Sequence, residues 1–373
     1  MIKIASFVFN DFTHDSRVLK EAVSLKNAGY DITVVAHGNK NLEKEDTIQN
    51  IRVKRFSYFN RKVTKNIFSK LMIYIQYVLA SVVYAKSCAA VHCNDLNTLP
   101  IGYIIKKFYN KDVKIIYDAH EYETEVGNLS GMAKKFMKFL EGYLIKHADK
   151  VITVSDSIAE EYAKLYAIPK PDLVLNTPPY QKIEKKDIFR QTFEISKEET
   201  IFLYQGGLSR GRGIEVLLDT FKSSGLTVVF MGYGPLEPLV KQYANEYKNI
   251  YFHNAVKPEV LLDYTSSADV GISTIENSCL SYYYCLPNKI FEYLMADIPV
   301  IVSNLYEMRK LVEEQQVGVV LEENSPEGLK GAITKVLALD KSLLKENIKK
   351  MKKIYNWEEQ EKSLIKVYKD VLA

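Results

Sequence analysis

Cysteine is scarce in this chain: Cys88, Cys93, Cys279 and Cys285 form no C-x-x-C pair and have no histidine at ligand spacing. That excludes a disulfide framework and a zinc site, and it predicts buried or incidental thiols in a reducing cytoplasm. No D-x-D occurs, so the carboxylate pair that often holds a metal against a phosphorylated substrate is missing. Neither H-E-x-x-H nor a protein-kinase signature is present. No segment offers the roughly 20 uninterrupted apolar residues of a spanning helix. The longest near-continuous run, LMIYIQYVLASVVYA at 71–85, reads as a buried helix. The start, MIKIASFVF, has one lysine and no small-residue cleavage site, so it reads as a first strand rather than a signal peptide.

What is present fits an ordinary globular protein, 47% apolar and 26% charged. At 373 residues the chain exceeds what one core usually serves, which predicts two domains. Its charge is uneven. Residues 1–177 carry 25 basic and 19 acidic side chains, against 25 and 27 in 178–373. Residues 47–94 contain no acid, but hold Arg52, Lys54, Arg55, Arg61, Lys62, Lys65, Lys70 and Lys86. A second basic stretch, AKKFMKFLEGYLIKH at 133–147, sets Phe136, Leu140, Tyr143 and Leu144 on one helical face beside Lys134, Lys135 and Lys138. Such a helix either lies on an anionic membrane surface or shows solvent a charged face. Nucleic acid is not expected, because the pI is only about 8.5 and no binding motif appears.

Short β-rich runs alternate with helical stretches, which implies parallel sheets covered on both faces. In the first half the strands are IKIASFVF, DITVVAH at 31–37, and runs at 89–92, 113–117 and 151–154, with a helix from Ser16 to Ala28 ending at Gly29. Four prolines and a charged run at 169–190 mark a linker. The alternation then restarts, with strands at 200–205, 226–232, 249–254, 269–273 and 299–303. Open parallel sheets bind ligands beyond the carboxyl ends of their strands, so the segments following each strand hold the candidates.

GGLSRGRG at 206–213 follows one such strand and precedes a helix. Gly206, Gly207, Gly211 and Gly213 let the backbone turn tightly, and the helix start behind them offers unpaired N–H groups to an anion. Arg210 and Arg212 add donor forks suited to phosphate oxygens. The spacing is neither the dinucleotide fingerprint nor a Walker loop, so the segment is either a plain turn or a phosphate site. Gly232 opens a second glycine turn, GYGP, and Val256 follows the next strand. In LPNKIFEYLMADIPVIVS at 286–303, Pro287 suits a helix start, and Lys289 and Glu292 share one face. Lysine there suits phosphate and glutamate suits sugar or ribose hydroxyls, unless the two form a surface ion pair. Glu276 lies just past the preceding strand. In the first half, Asp118, His120 and Glu121 of DAHE fall at a strand end, as do HCND at 92–95 and HDSR at 14–17. Arg17 either reaches an acceptor phosphate or serves packing.

Together these segments resemble the group 1 (family four) glycosyltransferases of GT-B fold. The resemblance runs through DSRVLKEAVSLKNAGYDITVVA at 15–36, ADKVITVSDSIAEEY at 148–162, the glycine–arginine turn, GYGP, ADVGIS at 268–273, EYLMADIPVIVS at 292–303 and YNWEEQEKSL at 355–364. It implies an α/β chain of two Rossmann-like domains facing a central cleft: residues 1–177 binding the acceptor, 178–355 binding the nucleotide-sugar, and a last helix, 356–373, crossing back. It implies transfer of a hexosyl-type sugar with retention from a nucleotide-diphosphate donor, a UDP-sugar, to a glycan or lipid-linked acceptor. No cofactor or metal is expected. The setting would be polysaccharide assembly of the bacterial surface type, in the cytoplasm or peripherally on the inner membrane face.

By position, Arg212 matches the family's basic residue contacting the donor diphosphate. A second basic residue of the family falls on Gly207, leaving Arg210 as its substitute. Glu292 matches the second glutamate of the paired-glutamate motif, which binds ribose. The first falls on Tyr284, and an apparent insertion makes Glu276 the stand-in. His120 matches a first-domain histidine near the donor sugar. A GT-B sugar-nucleotide epimerase and a non-catalytic GT-B scaffold are the alternatives; the retained Arg212, Lys289, Glu292 and His120 argue against a scaffold.

Overall fold

The computed structural model describes residues 1–39, 41–56, 67–127 and 129–373. It divides into two compact units, Met1–Val174 with Gln360–Ala373, and Leu175–Glu359. Arg61, Lys62 and Lys65 of the acid-free stretch lie outside the described residues.

Unit 1 begins β1 (Lys3–Val8), α1 (Ser16–Asn27), β2 (Asp31–His37), β3 (Glu45–Ile48) and β4 (Ile51–Phe56). It continues α2 (Ile67–Ala85), β5 (Ala90–Asn94), α3 (Leu99–Phe108) and β6 (Lys114–Ala119). α4 (Gly131–Leu144), β7 (Lys150–Thr153), α5 (Asp156–Tyr166) and β8 (Asp172–Leu173) follow. The sheet order is β3-β4-β2-β1-β5-β6-β7-β8, parallel except for β3 on β4. Its central strands are buried on both faces, as the runs SFV and IIY require.

Unit 2 starts with α6 (Ile188–Phe193), β9 (Ile201–Gly207), α7 (Ile214–Phe221), β10 (Thr227–Tyr233) and α8 (Glu237–Glu246). Next come β11 (Ile250–Asn254), α9 (Leu261–Ser266), β12 (Val270–Ser273), α10 (Leu280–Tyr283) and α11 (Asn288–Met295). β13 (Val300–Ser303), α12 (Tyr306–Gln315), β14 (Gly318–Leu321), α13 (Pro326–Leu337) and α14 (Lys341–Lys352) complete it. The sheet is wholly parallel, ordered β11-β10-β9-β12-β13-β14, with core on both faces. α15 (Trp357–Leu372) carries residues 360–372 into unit 1, where Tyr368 is fully buried.

One expectation is overturned. α2 is not a buried helix: its inner face packs Tyr77, Val78 and Val82, while Phe68, Leu79 and Val83 are more than half exposed. A helix laid on one side of a sheet buries a single stripe, so apolar residues all round it are not all covered. α4 carries a buried acid, Glu141, on its inner face. That carboxylate accepts from the hydroxyls of Tyr117 (2.7 Å), Tyr162 (2.7 Å) and Tyr166 (2.6 Å), which ties α4 to β6 and α5.

Candidate functional sites at the carboxyl ends of the two sheets

In unit 2 the glycine turn joins β9 to α7. Gly213 sits at φ 70°, and a Cβ there would collide with Thr274, so only glycine fits this helix start. Gly232 is equally constrained, since a Cβ would meet the Gly206 carbonyl on the paired strand. The loop after β12 laces the turn from the other side. The Thr274 hydroxyl donates to the Arg212 carbonyl (3.2 Å), and the Glu276 N–H donates to the Gly211 carbonyl (3.0 Å). The Arg212 guanidinium lies 5.0 Å from the Tyr282 ring centroid, a ring that a Cβ at Gly211 would also meet. Arg210 is exposed on the turn. Residues 207–211 also spell G-x-S-x-G, the pattern of a nucleophile elbow. Among the described residues no histidine reaches the Ser209 hydroxyl, so that chemistry is not built here.

α11 brings its side chains to the same strand end. Tyr293 fixes the helix by accepting from Gln205 N–H (2.9 Å) and donating to the Ile272 carbonyl (3.1 Å). Glu292 then accepts from the Gln205 side chain at 2.6 Å, and Lys289 sets its Nζ 3.9 Å from the Tyr204 ring centroid and close to Gly206. Burial, with Arg212 adding repulsion, pushes the Lys289 ammonium down to about 7. Arg212, Lys289, Glu292 and the α7 N-terminus therefore converge on the end of β9, the arrangement an anion with attached hydroxyls would fill. Val256 packs on the core below, and Glu276 is half-buried beside the turn. Tyr284 belongs to an aromatic group, 5.1 Å from Tyr283 and 6.2 Å from Tyr306 between ring centroids. Sequence reasoning missed Gln205, although a lone amide ending an apolar strand is a readable signal.

In unit 1 the pairing of Asn94 with Asp118 across β5 and β6 gathers residues far apart in sequence. His120 has acceptors at both ring nitrogens: Asp95 lies 3.3 Å from Nδ1, and Asp118 (3.3 Å) and the Asn94 side-chain oxygen Oδ1 (3.2 Å) face Nε2. Burial disfavours the cation, but Asp95 and Asp118 outweigh it and raise the His120 pKa to about 9. At neutral pH the ring is an imidazolium, a donor and a fixed positive charge rather than a base. Asp95 holds a left-handed backbone, φ 61°, which asparagine also tolerates. Asp95→Asn should therefore fold and lower the His120 pKa by about one unit or more, toward 6.5. Imidazole titration by NMR reads this directly, and an unmoved His120 titration would refute the pairing.

Arg17 and Asp118 are turned inward, contrary to an acceptor-side position open to ligand. Arg17 is 4% exposed and holds Asp118 through two nitrogens, at 2.8 and 3.1 Å. It also donates to the Val174 carbonyl (2.7 Å) and pairs with Glu21 (3.1 Å). Arg17 is the second residue after the N-cap Asp15, in the first turn of α1, and from there its long side chain reaches Asp118 and Glu21 instead of solvent. Glu21, His92 and Asp118 could geometrically hold a metal, but Arg17 already pairs with both acids. These residues support His120 from below, while Glu121 is exposed at the edge.

Residues 16–176 match the family model described as Glycosyltransferase Family 4, and residues 185–354 match Glycosyl transferases group 1. An uncharacterized glycosyltransferase of Methanocaldococcus jannaschii is 24% identical over 304 residues, 75% of this chain and 74% of that protein. Sucrose-phosphate synthase from Thermosynechococcus elongatus superposes with a TM-score of 0.81 at 19% identity, covering 100% of this chain and 99% of that one. The Anabaena protein HepE, solved with UDP-glucose, gives 0.76 at 14% identity, covering 99% and 100%.

Proposed function

The chain is a glycosyltransferase of GT-B fold, and from that premise we propose that it moves a hexosyl group, with retention, from a UDP-sugar to a glycan or lipid-linked acceptor. The convergence of Arg212, Lys289 and Glu292 on the end of β9 carries the reading. Support for UDP comes from HepE, which was solved with UDP-glucose.

In the proposed step the acceptor oxygen attacks C1 from the face the diphosphate leaves. The C1–O(phosphate) bond breaks as the C1–O(acceptor) bond forms, and the acceptor proton passes to the departing phosphate. Arg212, Lys289 and the α7 N-terminus meet the growing negative charge, with Arg210 as an outer cation and Gly206, Gly207, Gly213 and Gly232 allowing close approach. No metal enters this proposal. Glu292, held by Gln205, accepts from ribose hydroxyls. In unit 2, Glu276 takes the sugar-contacting place that Tyr284 does not fill; in unit 1, the His120 imidazolium serves as a donor to a sugar hydroxyl, with Glu121 on the acceptor side. The proposed setting is polysaccharide or glycoconjugate assembly in the cytoplasm, with peripheral attachment to the membrane.

A thermal-shift panel of nucleoside diphosphates and their sugar conjugates tests the donor. UDP at 100 times its Kd should stabilise by about 2.7 kcal/mol, whereas silence across the panel would remove the donor site. Lys289 gives a second readout. With its pKa near 7 it is largely neutral at pH 8, and a bound diphosphate restores its charge. Calorimetry at pH 8 in buffers of different ionisation enthalpy should therefore show proton uptake of up to about one per UDP. Acceptor-dependent product then separates transfer from epimerisation.

A further inference from the structure

Two helices of unit 1 leave apolar stripes uncovered. On α2, Phe68, Met72, Ile75, Leu79 and Val83 recur at i, i+4, i+7, i+11 and i+15 and are 40–75% exposed. On α4, Met132, Phe136, Phe139 and Tyr143 recur at i, i+4, i+7 and i+11 and are 49–79% exposed. α3 packs against both helices, and its Tyr103 hydroxyl lies 2.8 Å from that of Tyr143, so the stripes belong to one side of the sheet. Contiguous exposed apolar surface of this extent marks a contact site on a soluble protein.

α2 has the length and hydropathy of a membrane span, yet it is fastened down along its other face. The fully buried Tyr77 hydroxyl lies 2.9 Å from the Val8 carbonyl and 3.0 Å from that of Val35, on β1 and β2. It therefore lies on the unit, presenting a stripe outward.

Charge decides the occupant. The acid-free stretch 47–94 includes all of α2, with Lys70 exposed on it, Lys86 exposed just past its end, and Arg61, Lys62 and Lys65 shortly before it in sequence. On α4, Lys135 is exposed, while Lys134 and Lys138 both pair with Glu125. An apolar stripe bordered by cations fits lipid headgroups of negative charge better than a second apolar protein face. We propose that the α2–α3–α4 side of unit 1 rests on an anionic bilayer, with the two stripes in the headgroup layer. This deepens the reading of a lipid-linked acceptor. Both helices begin near the sheet's carboxyl edge, where Tyr74 of α2 donates to the Asn97 carbonyl just beyond Asp95, so docking would hold that edge against the lipid surface.

The test uses the full chain with vesicles of phosphatidylcholine alone or with added phosphatidylglycerol. Binding should require the anionic lipid and fall about tenfold or more between 0.05 and 0.5 M salt. A Phe136→Ser/Phe139→Ser variant and a Phe68→Ser/Leu79→Ser variant should each lose at least about tenfold in vesicle affinity. Both change exposed residues, so their melting temperatures should match the parent, which separates lost docking from misfolding. Equal binding to neutral vesicles, or unchanged binding by both variants, would overturn the proposal. So would a two-chain mass in light scattering that the same variants reduce to one, since that makes the stripes a self-association face. UDP binding measured on the same samples stands or falls independently, so a failed donor site and a failed docking surface are distinguishable.

Discussion

Arg212→Ala should lower the turnover of sugar transfer by about 10²–10³-fold, equivalent to roughly 3–4 kcal/mol of lost transition-state stabilisation. The expectation rests on where the charge is held. Arg212 lies on a turn whose glycine at 213 permits no side chain, its carbonyl is pinned by Thr274, and its guanidinium sits over Tyr282. A cation fixed in this way need not reorganise as the phosphate departs. Arg212→Lys should recover only part of the rate, because a point charge replaces a two-pronged donor. Initial-rate kinetics with a matched donor and acceptor read the effect as a fall in kcat larger than any rise in KM. Turnover within threefold of the parent would remove Arg212 from the chemistry.

The largest stability effect belongs to Arg17→Ala. It strips the cation from Asp118, fully buried, and from Glu21, 2% exposed. Breaking a buried pair on one side costs about 3–5 kcal/mol, which for a unit of this size lowers the melting temperature by roughly 10 °C. The pH dependence separates this mechanism from simple loss of packing. Despite burial, Arg17 and then His120 hold the Asp118 carboxyl well below its ordinary value. Its contribution is therefore present above the ordinary carboxylate range and is lost as pH falls through the depressed value. Burial pushes Glu21 up to about 7, with the Asp118 charge adding to it and Arg17 opposing, so its stabilising share declines as pH rises from about 4.5 through 7. Without Arg17, Asp118 keeps only the His120 imidazolium beside it, and Glu21 must stay protonated or stand as a charge stripped of its guanidinium. The variant's deficit should thus be greatest above pH 7 and shrink below about pH 5. A deficit that is flat across calorimetric scans from pH 5 to 8 would count against the ion cluster.

Strands that are apolar throughout were readable because a parallel sheet buries both faces, and those at 31–37, 113–117 and 226–232 fall within two residues of β2, β6 and β10. β3 and β4 escaped, because EDTI lies on the exposed edge and IRVKRF beside it turns one charged face outward, so neither has that pattern. The glycine–arginine turn and the α11 residues could be placed at a strand end from local order alone. The rest of the candidate sites was hidden for a different reason. Asp95 and His120 are 25 positions apart and meet only once β5 and β6 pair in register, and Gln205 meets Glu292 only when α11 folds back on β9. The burial of α2 was misjudged because hydropathy reports what a residue tolerates, and only the number of neighbouring layers decides what it receives.

Unit 1 is assembled from both ends of the chain, with all of unit 2 made in between. Ser24 of α1 bonds Glu361, and Tyr368 places its hydroxyl 2.7 Å from His92 Nδ1 beside Glu21. During translation, therefore, the sheet that carries His120 has its strands early but lacks the cover over its buried acids until the final helix emerges. Unit 2, a single continuous stretch, meets no such delay. The half made first is completed last: the elements that carry the Arg17 cluster precede unit 2 in the chain, and α15, which brings Tyr368 against His92, follows it.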